Sequence, residues 1–416
     1  YYLYRLFAIT PWYDEVYTYI TFIDKGFFYS ITHWPLPNNH ILFSALSSLL
    51  RPFGVYIALR GISYLSAIAT LILVYGILKQ MFGKGIANIG TLIYAAMYPV
   101  NLQAVQGRGY SFATFCFALS IYCVLQIVAG KEKTGRFYIL YTIALYLGLY
   151  TLVSSMYWVF VVCVCGGLIL LVHRRYGEFL KLVIYSLISA VLTFFSYSIV
   201  WLAIGSNWLI DHFEIYGQET HVSMILKNTV LCWKEGFGLM INNPYMQGIG
   251  DRFVFLRDFI YFGKEIIKNF WGITNNVLYY MFVCIILGTT FLFCFTVVKR
   301  IRSKQEKQTE CTDFALSISG VGFLVIFVIL LIQCSYPFAR IFSFMGIMFA
   351  LQIGLFIYCI QNFFRNKCKS HIMNHLLNII VVIGCILCFI SPAYNEGYSI
   401  LDDCSHDAVK HVEWRN

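Results

Sequence analysis

Two adjacent carboxylates, Asp14 and Glu15, stand in the segment Pro11-Trp12-Tyr13-Asp14-Glu15 of an otherwise strongly apolar chain. A carboxylate held at a membrane surface can take the proton from an attacking hydroxyl. Ionisable groups beside membrane spans are expensive to desolvate, which makes such a pair a functional candidate. A second polar island, Pro37-Asn38-Asn39-His40, closes a segment that also holds Asp24 and His33. A third runs from Gln103 through Gln106, Gly107, Arg108, Gly109 and Tyr110 to Ser111, and a fourth is Ser335-Tyr336-Pro337-Phe338-Ala339-Arg340. An arginine stays charged and can hold a phosphate through two parallel hydrogen bonds. One acidic pair with Arg108 and Arg340 therefore suits a reaction whose leaving group is a lipid phosphate.

Each residue also has a plainer reading. Asp14 and Glu15 could be solvated loop residues, and Arg108 could snorkel to lipid headgroups. Arg340 could do the same, or pair with a carboxylate of the C-terminal tail such as Asp402. His33 and His40 could be ordinary interfacial histidines, and Gly107 and Gly109 could merely open their loop. No glycine-rich phosphate cradle follows a strand, and the His and carboxylate spacings carry no metal signature.

These residues must be positioned by helices in a bilayer. Of 416 residues 59% are hydrophobic and only 12% charged, with a mean hydropathy of +0.71, whereas soluble domains carry roughly 25% charged residues. The 37 Phe and 31 Tyr suit interfacial belts and an aromatic-lined cavity. Nine of the 14 cysteines lie in apolar runs, including a Cys385-x-x-Cys388 pair, and read as small buried hydrophobes rather than a redox or zinc motif. The hydropathy pattern predicts an all-α, polytopic membrane protein. About ten spans are visible: 55–78, 86–101, 110–129, 137–153, 155–172, 180–203, 272–298, 314–333, 341–361 and 375–393.

The loops divide by charge. Segments 79–85, 130–136, 173–181, 299–313 and 362–374 hold 16 Lys/Arg and 5 Asp/Glu, of 30 and 20 in the whole chain. Short loops rich in Lys and Arg face the cytoplasm. This places Asp14, Glu15, Arg108, segment 204–271, Arg340 and the C-terminal tail outside. It also explains the net charge of +10 without nucleic acid. With residues 1–54 outside and no Met at Tyr1, one further upstream span is expected. The chain reads as a single transmembrane domain, 1–416, comprising a first external loop (1–54), a large external loop (204–271) and an external tail (394–416). The mix of aromatics and charges in 204–271 (Trp208, His212, His221, Trp233, Lys234, Trp271) predicts short helices lying on the outer leaflet.

In order along the chain, these motifs resemble the GT-C superfamily of integral membrane glycosyltransferases. The similarity is greatest to the branch of protein O-mannosyltransferases and the lipid A aminoarabinose transferase. The matching residues are Asp14-Glu15, the stretch Pro35-Leu36-Pro37-Asn38-Asn39-His40-Ile41-Leu42, and Phe53-Gly54 with Ala58-Leu59-Arg60-Gly61-Ile62-Ser63. They continue with Gln106-Gly107-Arg108-Gly109-Tyr110-Ser111, where Gly107 replaces the usual Ala, and end with Pro337-Phe338-Ala339-Arg340. The resemblance is dense over 10–125 and thin from 140 to 330. No counterpart of the large soluble C-terminal domain of some relatives is expected within residues 1–416.

The resemblance implies a glycosyltransferase that moves a sugar from a polyprenyl phosphate to a glycan, lipid or polymer acceptor on the outer face, usually with inversion. Asp14 would be the general base, and Glu15 would help position Asp14 or the substrate. Arg108, Arg340 and Tyr110 would bind the donor phosphate, and Asn39, His40 and Gln106 would contact substrate. No cofactor and no metal is expected, although some relatives use a metal with an acidic motif and Asp14 with Glu15 could be its ligands. Composition and size lean toward a bacterial plasma membrane and cell-envelope glycan synthesis. Two other functions compete. A lipid-linked glycan polymerase or ligase would use Arg252 and Arg257 of the large loop. A flippase or transporter would place ionisable groups at the bilayer midplane and show internal repeats.

Overall fold

A computed structural model describes residues 2–33, 39–130, 134–241, 252–271, 276–302 and 310–368. Pro35 to Asn38, the span expected at 375–393 with Cys385 and Cys388, and the tail with Asp402 lie outside the described residues. Among the described residues every regular element is helical. Four short helices come first: α1 (Tyr2–Ala8), α2 (Tyr13–Thr18), α3 (Phe27–Thr32) and α4 (Ile41–Ser48). The central bundle follows, with α5 (Val55–Phe82), α6 (Lys84–Ala96), α7 (Tyr98–Ala104), α8 (Tyr110–Val128), α9 (Gly135–Thr151), α10 (Met156–Val172) and α11 (Tyr176–His212). Then come α12 (His221–Lys227), α13 (Thr229–Ile241), α14 (Arg252–Trp271), α15 (Asn276–Arg302), α16 (Glu310–Leu316), α17 (Gly322–Gln333) and α18 (Met345–Cys368).

Among the described residues, seven helical stretches are long and apolar enough to cross a membrane: Val55–Phe82, Tyr110–Val128, Val153–Val172, Tyr176–His212, Tyr279–Val297, Glu310–Gln333 and Ala339–Asn362. They fit an integral membrane protein, and they match seven of the ten expected spans. The run at 86–101 is not one helix but two, of 13 and 7 residues, divided at Met97. Pro99 explains the break. It has no N–H to donate inside a helix, but it fits the first turn of α7, where no intrahelical partner is needed. Hydropathy registers apolar length and is blind to this interruption. The run at 137–153 forms a helix of 17 residues, Gly135–Thr151.

The large loop also differs from expectation. The helix expected to end at 203 continues to His212, so Trp208 belongs to α11. The antiparallel α13 then packs back against it. A Cβ on Gly205 would lie 1.8 Å from the Cys232 carbonyl oxygen, and one on Gly236 would lie 1.9 Å from that of Trp201. Only glycines permit this approach, the small-residue contact that draws helices together in membranes. The 20-residue α14 buries Phe255, Ile266, Ile267 and Phe270 while leaving Phe253 and Tyr261 exposed. That two-sided character is the amphipathicity expected of this loop.

The apolar core lies between α5, α8, α9, α10 and α18, around Phe117, Trp158, Tyr141, Phe344 and Phe349. Polar groups collect at the two ends of α8, which are roughly 28 Å apart for 19 residues. At its C-terminal end, Arg175 donates to the carbonyls of Ile127 and Val128 and pairs with Glu310 at 2.9 Å. There His173 meets Asp313 at 3.1 Å. At its N-terminal end the segments from the start of the chain, the loop before Tyr110 and the turn before α18 converge.

Candidate functional site

The site is built on one buried ion pair. Arg60 sits in the second turn of α5, and its guanidinium meets the Glu15 carboxylate with Nε to Oε1 at 2.8 Å and Nη2 to Oε2 at 3.0 Å. Both side chains are about 1% exposed or less. Arg60 Nη1 also donates to the carbonyls of Leu6 and Ile9, which pins the N-terminal segment. Glu15 accepts two more bonds, from the backbone N–H of Gly107 at 2.6 Å and of Trp12 at 2.9 Å. Four donors thus surround one carboxylate. The bidentate geometry and full set of partners are what a buried ion pair requires.

This pair fixes two neighbours. Asp14 precedes Glu15 on α2 and therefore projects differently, toward the bundle mouth, with its side chain 32% exposed. Gly107, held by Glu15, leads into Arg108. Arg108 is 3% exposed. Its Nη2 lies 3.7 Å from Asp14 Oδ2, and its Nη1 donates to Thr18 Oγ1 at 3.3 Å and the Asp14 carbonyl at 3.5 Å. Ser63 Oγ donates to the Arg108 carbonyl. Arg340 arrives from a position 326 residues away, and its Nη1 donates to the same Asp14 Oδ2 at 3.1 Å. Gln103 Nε2 holds the Arg340 carbonyl at 3.0 Å. Two guanidinium groups therefore converge on one carboxylate oxygen.

The glycines beside Arg108 are there for packing and not to loosen the loop. A Cβ at Gly107 would stand 2.5 Å from Leu59 Cγ, and one at Gly109 would stand 2.6 Å from Thr151 Cγ2. The missing side chain at Gly107 thus lets the loop lie against α5.

His40 is buried beneath the site. Gly109 N–H donates to its Nδ1 at 2.6 Å, so the ring proton resides on Nε2. The ring packs edge-on against Tyr110, whose own ring lies 6.0 Å from the Arg108 guanidinium carbon. Burial, reinforced by the nearby charges of Arg108 and Arg340, holds the His40 pKa well below 6.5. A folded-state pKa below the unfolded value means the unfolded chain takes up the proton first as pH falls. His40 therefore contributes stability above about pH 6.5 that is lost on acidification through the folded pKa. His40→Asn keeps an acceptor for Gly109 and cannot be protonated. The wild type is expected to lose melting temperature below pH 6.5 more steeply than His40→Asn, and parallel profiles would refute this. His33 also titrates low, chiefly from burial. It is common to both proteins and cancels in the comparison.

The remaining expected residues fall in different places. Asn39 is buried, with its amide donating to the Ser30 and His33 carbonyls and its Oδ1 accepting from Ser44. It therefore ties the segment that carries His40. Gln106 offers its carbonyl to the Arg108 N–H at 2.7 Å, shaping the Arg108 turn. Asp24 pairs with Arg51 at 3.3 Å on the surface. On α14, Arg257 pairs with its neighbour Asp258. Sequence reasoning missed Arg60 as a member of this cluster and placed Gln103 in the Arg108 island without a role. A lone arginine near the start of a 28-residue apolar helix was the available signal for the first.

Asp14 and Glu15 do not form a chelating pair, because the Glu15 oxygens are already saturated by four donors. Among the described residues no group of three His, Cys, Asp or Glu side chains is placed to hold a metal ion. The chemistry this site can perform is proton abstraction by Asp14 and anion binding by Arg108 and Arg340. No protein-family model and no curated protein matches the chain.

Proposed function

We propose that the protein is a glycosyltransferase that moves a sugar from a polyprenyl-phosphate donor to an acceptor hydroxyl on the outer face of the membrane. The observation that carries this reading is the convergence of Arg108 and Arg340 on Asp14 at the end of the bundle. The order of motifs resembling the GT-C superfamily and the charge difference between the loops support it.

The chemistry follows from charge. Attack at the anomeric carbon builds positive charge on the sugar and negative charge on the departing phosphate. Asp14 takes the acceptor proton as the new bond forms. Arg108, clamped in place, and Arg340, half exposed at the rim, stabilise the phosphate as it leaves. His40, neutral and carrying its ring proton on Nε2, adds no charge to the site. Glu15 and Arg60 hold Asp14 and the Arg108 turn in register and take no part in proton transfer. The acceptor is a glycan, lipid or polymer, and a bacterial plasma membrane is the proposed setting.

The test is donor turnover by membranes containing the protein, read as release of free polyprenyl phosphate. Arg340→Ala is expected to slow release by on the order of 100-fold, the usual effect of removing one fixed donor to a developing anion. An unchanged rate would remove its role. EDTA is expected to leave the wild-type rate intact, because the two guanidinium groups supply the positive charge. Loss of rate restored by Mn²⁺ or Mg²⁺ would overturn that assignment.

A further inference from the structure

Asp14 is placed to do two things that exclude each other. As a base it must face an acceptor hydroxyl. In the structure its Oδ2 instead accepts from Arg340 at 3.1 Å and lies 3.7 Å from Arg108. These are the guanidinium groups assigned to the donor phosphate.

We propose that the Asp14 carboxylate occupies the donor's phosphate seat until an isoprenyl phosphate displaces it, so that the donor must bind before Asp14 is released as base. The inference rests on the function proposed above and adds an order of events to it. A carboxylate and a phosphate both bear negative charge and both use the guanidinium N–H groups, so they compete for Arg340.

The parts that must move are those free to do so. The Asp14 side chain is 32% exposed and that of Arg340 46%, whereas that of Arg108 is 4% exposed and also bonded to Thr18. The backbone on either side is fixed, by Glu15 next to Asp14 and by Gln103 on the Arg340 carbonyl. Exchange therefore needs only two side-chain rotations at the rim. While Asp14 pairs with the arginines it is held from acceptor chemistry, which guards the acceptor against unproductive activation.

The competition predicts a result opposite to the loss of a ligand. Asp14→Asn should bind farnesyl phosphate more tightly than the wild type, by about 2- to 5-fold, the size of one partly exposed ion pair. Calorimetric titration of the detergent-purified full chain at neutral pH measures this. Arg340→Ala should bind more weakly, and Asp14→Asn placed in the Arg340→Ala background should then give no gain. That second comparison separates competition at Arg340 from a general effect of removing one negative charge. Equal or weaker binding by Asp14→Asn, or a gain that survives in Arg340→Ala, overturns the competition and leaves the anion site standing. Failure of both the wild type and Asp14→Asn to bind farnesyl phosphate overturns the competition and the proposed function together.

Discussion

Asp14→Asn is expected to lower sugar transfer by about 10²- to 10⁴-fold, the range that one positioned general base supplies, while the protein remains folded. Asn keeps an acceptor oxygen where Arg340 now donates to Asp14 Oδ2, so a weaker, uncharged contact survives. What disappears is the group proposed to receive the acceptor's proton. The side chain lies at the rim and is 32% exposed, so its replacement leaves the buried contacts beneath it in place. The measurement is the initial rate of donor consumption, with melting temperature as the control for folding. Activity within a factor of two of the wild type would remove Asp14 from the chemistry.

Its neighbour should fail for the opposite reason. Glu15→Gln places an amide where Arg60 Nε and Nη2, Gly107 N–H and Trp12 N–H all donate. One of the two acceptors becomes a donor facing donors, and the Arg60 charge is left buried without its partner. Breaking such a pair costs about 3–5 kcal/mol. Glu15→Gln and Arg60→Met should therefore each show strong thermal destabilisation, with loss of activity following loss of fold. The double variant Glu15→Leu/Arg60→Met should recover part of that stability, because it removes both buried charges at once. A double variant no more stable than either single one would mean the pair is not the organising contact. Two adjacent carboxylates thus have contrasting roles, set by the direction each leaves α2.

The types of residue at the site were legible from the sequence, and their connections were not. The cost of ionisable groups near spans marked Asp14, Glu15, Arg108 and Arg340, and the structure brings all four together. Arg60 was visible only as part of a short fragment. Its role depends on a partner 45 positions away and on carbonyls of the first helix, which no local pattern encodes. Asn39 was expected to contact substrate, and the fold buries it in three hydrogen bonds of its own. The spans were legible where the apolar run is unbroken, as in Tyr110–Val128. They misled where a proline interrupts a run at Pro99, or where the helix extends past the apolar stretch to His212. Charge asymmetry between loops grouped the site residues on one side, and they do lie together at one end of the bundle.

This end of the bundle is proposed to receive a sugar-bearing polyprenyl phosphate through Arg340 and Arg108. Native mass spectrometry of the detergent-purified protein after incubation with such a donor tests it most directly. A bound species with the mass of the donor or of the released polyprenyl phosphate is expected on the wild type, depleted on Arg340→Ala. A wild type that carries no isoprenoid phosphate, or an Arg340→Ala variant that carries as much, would contradict it.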